Sequence, residues 1–125
     1  MERLVIIVMG KWQERALISA QLQEEGYSVQ SFPSFETATA FLCQTSSLPD
    51  GVILDSKGMT ASADELRAFR LLLGDTPLVL CTAPYGRDRE AEEALKPAEI
   101  LVRPFTVKEL VETVKRLIPP SAPIS

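Results

Sequence analysis

The stretch GVILDSKGM, residues 51–59, places one carboxylate, Asp55, at the end of a continuous apolar run. A short apolar run that ends in turn residues is typical of a strand buried on both faces of a sheet. Helix-length connections between such strands predict a parallel sheet with right-handed crossovers. Comparable runs occur at residues 3–9, 77–82 and 99–102, residues 27–32 alternate between apolar and polar side chains, and each of these four stretches is followed by a segment with helical periodicity. The sequence therefore predicts five βα units in a doubly wound α/β sandwich.

The helical segments are predicted at residues 12–26, 34–42, 63–74, 86–96 and 106–118. In the last one, apolar residues recur every three or four positions, and Thr106 and Glu109 have the spacing of a capping box. The PPSAPIS segment that follows carries no charge and cannot continue a helix. We predict one domain over residues 1–118, and a Pro/Ser-rich tail or the start of an interdomain linker over residues 119–125.

Composition limits the class of protein. A chain of 125 residues fits one domain, and 46% hydrophobic with 24% charged residues is ordinary for a soluble protein. The apolar runs are too short to span a membrane, and the N-terminal segment lacks a signal-peptide cleavage site. The net charge of −4 provides no positive field for phosphate backbones. We therefore expect a cytoplasmic protein that binds neither membranes nor nucleic acid directly.

Histidine is absent and cysteine is rare. The lack of histidine excludes Ser-His-Asp triads, histidine-containing zinc sites and phosphohistidine chemistry on this chain. Cys43 and Cys81 are too far apart in sequence for a CxxC site, and their apolar surroundings predict two buried free thiols.

In an open α/β sheet, ligands bind at the carboxyl ends of the strands. The candidate residues at these ends are Met9, Gly10, Asp55, Lys57, Thr82 and Arg103. Gly10-Lys11 lacks the upstream glycine and the following Ser/Thr of a phosphate-binding loop. The segment GKWQER, residues 10–15, also lacks the hydroxyls that would hold the phosphate of FMN. Neither cofactor site is expected.

The order of elements resembles that of a bacterial response-regulator receiver (CheY-like) domain over residues 2–118. The motifs that carry this resemblance are the aspartate that ends strand three, TA at 82–83, RPF at 103–105 where KPF is usual, EEGYSV at 24–29, and FTVKELVETVKRLI at 105–118. The resemblance implies a flavodoxin-like sheet of strand order 2-1-3-4-5. It also implies a phosphoacceptor at Asp55, a Mg²⁺-binding acidic pair at Met9 and Gly10, a switch hydroxyl at Thr82, and a phosphoryl-contacting lysine at Arg103.

Several of these positions depart from the family pattern. Met9 and Gly10 cannot supply the oxygen ligands that Mg²⁺ requires. Three carboxylates and one lysine, the usual balance, sum to −2, whereas Asp55, Lys57 and Arg103 sum to +1. We therefore expect weak or absent Mg²⁺ binding, no metal ligands and no catalytic residues. Two uses of the cations remain open: they replace the metal electrostatically, or one of them simply pairs with Asp55.

The switch is also incomplete. Ile100 occupies the position where the family has an aromatic residue, and Thr82 has an alternative use as a strand-end hydroxyl bonded to backbone. We predict a degenerate receiver that acts as a protein-interaction module in two-component (phosphorelay) signalling and is not an enzyme. The alternative is a competent receiver phosphorylated on Asp55 by a histidine kinase. The expected partners are proteins: a histidine kinase, a C-terminal output domain, or a second copy bound through the fourth helix, fifth strand and fifth helix.

Overall fold

The computed structural model describes residues 2–121, and ten elements alternate along them. They are β1 (Leu4–Val8), α1 (Trp12–Glu24), β2 (Ser28–Phe32), α2 (Phe35–Gln44), β3 (Gly51–Asp55), α3 (Ala63–Leu73), β4 (Leu78–Thr82), α4 (Arg89–Leu95), β5 (Glu99–Val102) and α5 (Val107–Leu117). The five predicted βα units are confirmed. Of the predicted tail, residues 122–125 lie outside the described part of the chain.

All five strands are parallel, in the order β2-β1-β3-β4-β5, as predicted. Side chains alternate across the sheet, so Ile6 and Val8 enter one half of the core while Val5 and Ile7 enter the other. One half packs against α2, α3 and α4, and the other against α1 and α5. The near-continuous apolar strands are explained by this double cover.

Side-chain caps set several helix boundaries. Ser34 and Ser62 form capping boxes that start α2 and α3. α4 begins at Arg89, later than predicted, because Asp88 accepts a hydrogen bond from the Ala91 N–H and so provides the N-cap. Within residues 2–121, no helix is long and apolar enough to cross a membrane.

The prediction of two buried thiols is half wrong. Cys81 lies in β4 and is fully buried, whereas Cys43 is exposed. Cys43 directly follows buried Leu42 in α2, and consecutive residues of a helix point about 100° apart. The apolar neighbours of Cys43 therefore reach the core while its own side chain faces outward.

Candidate functional site

Asp55 lies at the carboxyl end of β3, where the sheet brings the candidate residues together. It is the last residue of the strand, pairs in register with Cys81 of β4, and its side chain is only 5% exposed. Its Oδ1 accepts a hydrogen bond from the Lys57 N–H at 3.2 Å. Burial and the nearby Asp55 carboxylate together raise the pKa of the Cys81 thiol to about 12. The carboxylate is therefore held in a largely dry strand end.

Arg103 is the cation that pairs with Asp55. Its Nη2 donates to Asp55 Oδ2 at 3.0 Å, and the guanidinium carbon lies 4.9 Å from the centre of the Phe105 ring. The Arg103–Pro104 peptide is cis, and the Arg103 N–H donates to the Thr82 carbonyl. These contacts fix the side chain across the ends of β3 and β5, and confirm that Asp55 pairs with one of the two predicted cations.

Glu14 is a site residue that the sequence reasoning missed. It lies in the first turn of α1, and its carboxylate binds the same guanidinium, with Arg103 Nη2 to Oε1 at 2.8 Å and Nη1 to Oε2 at 3.3 Å. Arg103 thus joins two carboxylates that come from different elements. The expected balance of +1 is therefore wrong, because it considered strand-end residues alone and omitted a helix that approaches the same edge.

The remaining predicted cation, Lys57, contributes its backbone to the site and not its charge. Its side chain is exposed, and no ion pair joins it to Asp55 within the described residues. Asp55 and Glu14 both bind Arg103, and these three groups carry a net charge of −1. Burial alone would lower the pKa of Arg103, but the hydrogen bonds that it donates to Glu14 and the charge of Asp55 outweigh burial and raise the pKa above its ordinary value. The guanidinium therefore stays protonated.

Met9 and Gly10 follow β1, at the positions implied for the acidic pair. Met9 is 1% exposed and packs in the half of the core beneath α1 and α5, while its carbonyl accepts a hydrogen bond from Arg15 Nη1 at 2.7 Å. Gly10 is exposed and has no side chain to offer. The end of β1 thus places a buried thioether where the resemblance implies a carboxylate.

The donor atoms present do not fit Mg²⁺. A hard cation of that size needs several oxygen ligands in octahedral positions. Asp55 Oδ2 and both carboxylate oxygens of Glu14 already accept hydrogen bonds from Arg103. Over residues 2–121, no group of three or more Asp, Glu or Cys side chains is arranged to hold a metal ion. The positive charge at this site comes from the protein itself.

The two predicted switch positions are both held in place. Thr82 is buried, and its hydroxyl oxygen accepts a hydrogen bond from Ser56 Oγ at 3.2 Å. Ile100 is partly buried and packs against the half of the core formed with α2, α3 and α4. The Thr82 hydroxyl therefore contacts a neighbouring side chain, where a backbone partner was the predicted alternative.

A cavity of about 190 Å³ lies beside Asp55. It opens between the end of β1, the start of α2 and the loop after β3. The polar or charged residues in its lining are Ser34, Glu36, Asp55, Lys57 and Thr60. Its volume suits a few waters or one small polar group. Asp55 is therefore approachable from this side, although Arg103 holds its other oxygen.

No protein-family model matches the sequence, and no curated protein matches it significantly. Solved structures do match. A response regulator receiver protein from Burkholderia phymatum is 26% identical, with a TM-score of 0.75 over 98% of this chain and 99% of that one. The chemotaxis protein CheY4 of Vibrio cholerae is 21% identical, with a TM-score of 0.76 over 94% and 99%.

A third structure, a CheY-like receiver domain protein from Methanospirillum hungatei, is 23% identical, with a TM-score of 0.73 over 92% of this chain and 93% of that chain. The two structures below 25% identity establish the fold alone. The chain therefore has the three-dimensional structure of a CheY-like response-regulator receiver domain, as its motifs predict.

Proposed function

We propose that this chain is an atypical receiver module of a bacterial two-component system. It works through protein contacts in the cytoplasm, with little or no Mg²⁺-dependent phosphorylation and no catalytic activity of its own. The observation that carries the proposal is the bridge formed by Arg103 between Asp55 and Glu14. Arg103 stands where the resemblance implies a lysine, and because it binds both carboxylates it also supplies, from within the chain, positive charge that a receiver otherwise gains from a metal.

The bridge bears directly on phosphoryl transfer to Asp55. The transfer develops charge on the equatorial oxygens, and bound metal ions ordinarily neutralise that charge. Here Asp55 Oδ2 accepts a hydrogen bond from Arg103 and Oδ1 accepts one from the Lys57 N–H, so both oxygens are weaker nucleophiles than those of a free carboxylate. Freeing Oδ2 would break a hydrogen bond between two charged groups in a site that is only 5% exposed on the Asp55 side. The resting arrangement therefore opposes the reaction.

The proposed partners of this module are proteins: a histidine kinase and an output domain. The face formed by α4, β5 and α5 is the candidate docking surface. Val102 of β5 is 39% exposed there, and the exposed residues of α5 are all charged: Lys108, Glu109, Glu112 and Arg116. A partner on this face would meet mainly charges, so its binding should weaken with salt.

The second candidate function, a competent phosphoacceptor, is favoured by one observation. Glu14 brings a second carboxylate to the site, which sequence reasoning had judged too positive for a divalent cation. If Arg103 swung away, Asp55 and Glu14 would leave a net charge of −2 beside the open cavity. The two functions therefore differ in whether Arg103 leaves the bridge.

Treatment with acetyl phosphate and Mg²⁺, followed by intact-mass measurement, distinguishes the two functions. The atypical receiver gains no phosphoryl group at Asp55 under conditions that label a receiver with an acidic pair. Asp55→Asn is the background control. A double variant, Gly10→Asp with Arg103→Lys, restores two family residues and should gain phosphorylation, since a Cβ at Gly10 meets no atom closer than 3.8 Å. Stoichiometric labelling of wild-type Asp55 would establish the phosphoacceptor instead.

A further inference from the structure

The two edges of the sheet differ in how they are protected. β5 begins with Glu99, which pairs with Arg116 of α5 at 3.7 Å. Charged side chains at that edge disfavour pairing with a strand of another molecule. β2 is the opposite edge, and its sequence SVQSF contains neither a charge nor a proline. Natural sheets usually protect an exposed edge strand with one or the other. The β2 edge is thus a feature that the proposed function leaves unexplained.

The hydrogen-bonding groups that point outward from β2 can be identified. The Ser28 N–H donates to the Arg3 carbonyl, and the Phe32 carbonyl accepts from the Met9 N–H, so both residues face β1. Direction alternates along a strand, and Val29 and Ser31 therefore direct their N–H and C=O groups away from the sheet. No strand within residues 2–121 pairs with this side of β2.

α1, which packs beside β2, also has few charged residues on its outer face. Glu14 and Glu25 turn toward the α5 side of the molecule, where they bind Arg103 and Lys115. At about 100° per residue, Trp12 lies on the opposite side of the helix from Glu14. The exposed residues of α1 are almost entirely uncharged: Trp12, Gln13, Ala16, Leu17, Ala20, Gln23 and, at the end, Glu24. Trp12 is 63% exposed.

We propose that β2 and α1 form the contact between two copies of this chain, which join edge to edge into one ten-stranded sheet. A two-fold axis through Gln30 places Val29 of one copy opposite Ser31 of the other. In an antiparallel sheet such a pair exchanges both N–H···O=C bonds, so the contact forms four backbone hydrogen bonds. Pro33, which has no N–H, lies at the next outward position and ends the pairing.

Charge identifies the occupant as a second copy. Each chain carries a net charge of −4, so two copies associate best through a surface with few charges, and Glu24 is the one charged residue among the exposed residues of β2 and α1. The same axis runs the two α1 helices antiparallel on one face of the joined sheet. It brings Lys11, just before one helix, toward Glu24 at the end of the other. The small residues Ala16 and Ala20 allow the helices to approach closely.

The proposed contact joins one strand and one helix of each copy, so we expect a small interface and a weak dimer. Interfaces below about 1,200 Å² of total buried area belong mostly to transient complexes. Sedimentation equilibrium from about 5 to about 500 µM should therefore show reversible dimerisation of the wild-type chain. Over the same concentration range, hydrogen exchange at the Val29 and Ser31 amides should slow as the fraction of dimer increases. A chain that remains monomeric at the highest concentration would overturn the proposal.

Two charge substitutions test the location. Gln30→Lys sets like charges opposite each other at the axis and should weaken association at least about tenfold, a change of about 1.4 kcal/mol. Gln44→Lys makes the same change at an exposed position of α2 and should leave association unchanged. Both positions are exposed, so both variants should fold. If Gln30→Lys left dimerisation unchanged and Val102→Lys abolished it, the contact would lie on β5, and the proposed contact through β2 and α1 would be refuted. None of these measurements depends on phosphorylation, so they can fail without affecting the proposed function.

Discussion

Asp55→Asn is the most informative single substitution in the site, because the sign of its effect on stability depends on the charge that surrounds it. Asparagine has nearly the same shape and can still accept the hydrogen bond from the Lys57 N–H. It loses the negative charge that binds Arg103 Nη2 at 3.0 Å. We expect the variant to be less stable than wild type at neutral pH.

The size of the loss follows from the contacts. A hydrogen bond to a charged group contributes about 1.5 to 3 kcal/mol, and Asp55 is almost fully buried. Two features reduce the loss: Arg103 keeps Glu14 as a partner, and its own side chain is 26% exposed to water. The two carboxylates also repel each other, since their oxygens lie 2.8 and 3.0 Å from the same nitrogen. These terms leave a net loss of about 1 to 2 kcal/mol.

Urea unfolding at pH 7 without divalent cations measures this difference. With a slope of about 2 kcal/mol per molar urea, the midpoint should fall by about 0.5 to 1 M. Asp64→Asn is the matched control, because Asp64 pairs with Arg67 at 2.6 Å while 94% exposed, and an exposed pair contributes at most about 1 kcal/mol. An Asp55→Asn variant more stable than wild type would show that repulsion between carboxylates dominates the site, which would refute the reasoning.

Two further predictions concern groups outside the bridge. Two hydrogen bonds from Arg87 lower the pKa of Glu92, so this pair stabilises the fold above the unfolded pKa of about 4.3, and the benefit is lost as pH falls through the lower folded pKa. The stability difference between wild type and Glu92→Gln, followed by urea unfolding from pH 6 to pH 3, should therefore shrink with acid, and a constant difference would contradict it. Cys81, with a pKa of about 12, should resist a thiol reagent at pH 8 in the folded chain while exposed Cys43 reacts. Two rapidly reacting thiols would contradict that second prediction.

The fold could be predicted from sequence because its signals are local. Each strand is a short apolar run, each helix has its own periodicity, and a parallel sheet follows from the lengths of the connections. The strand order came from the receiver resemblance, and the structure bears it out. The errors are at boundaries such as the start of α4, where the Asp88 cap decides the first helical residue.

The site could be predicted only in part. Asp55 ends β3 and Arg103 directly follows β5, and both strands end at the same edge of the sheet with only β4 between them, so topology predicts that the two residues are close. Glu14 belongs to a helix, and its approach to Arg103 depends on how α1 packs beside α5, which no local pattern reveals. One signal was available: an acidic residue in the first turn of α1 lies at the same edge of the sheet as the strand ends. Considering helix N-terminal turns together with strand ends would have identified it.

A Mg²⁺ titration tests most directly the claim that Arg103 takes the place of a metal. The readouts are the amide shifts of residues 55–57 and the fluorescence of Trp12, with a sodium salt of matched ionic strength as reference. The account predicts that wild-type signals change with Mg²⁺ only as they do with sodium, and that the double variant Gly10→Asp with Arg103→Lys shows saturable binding. Saturable millimolar binding by the wild-type chain, with its largest shifts at Asp55, would contradict the account.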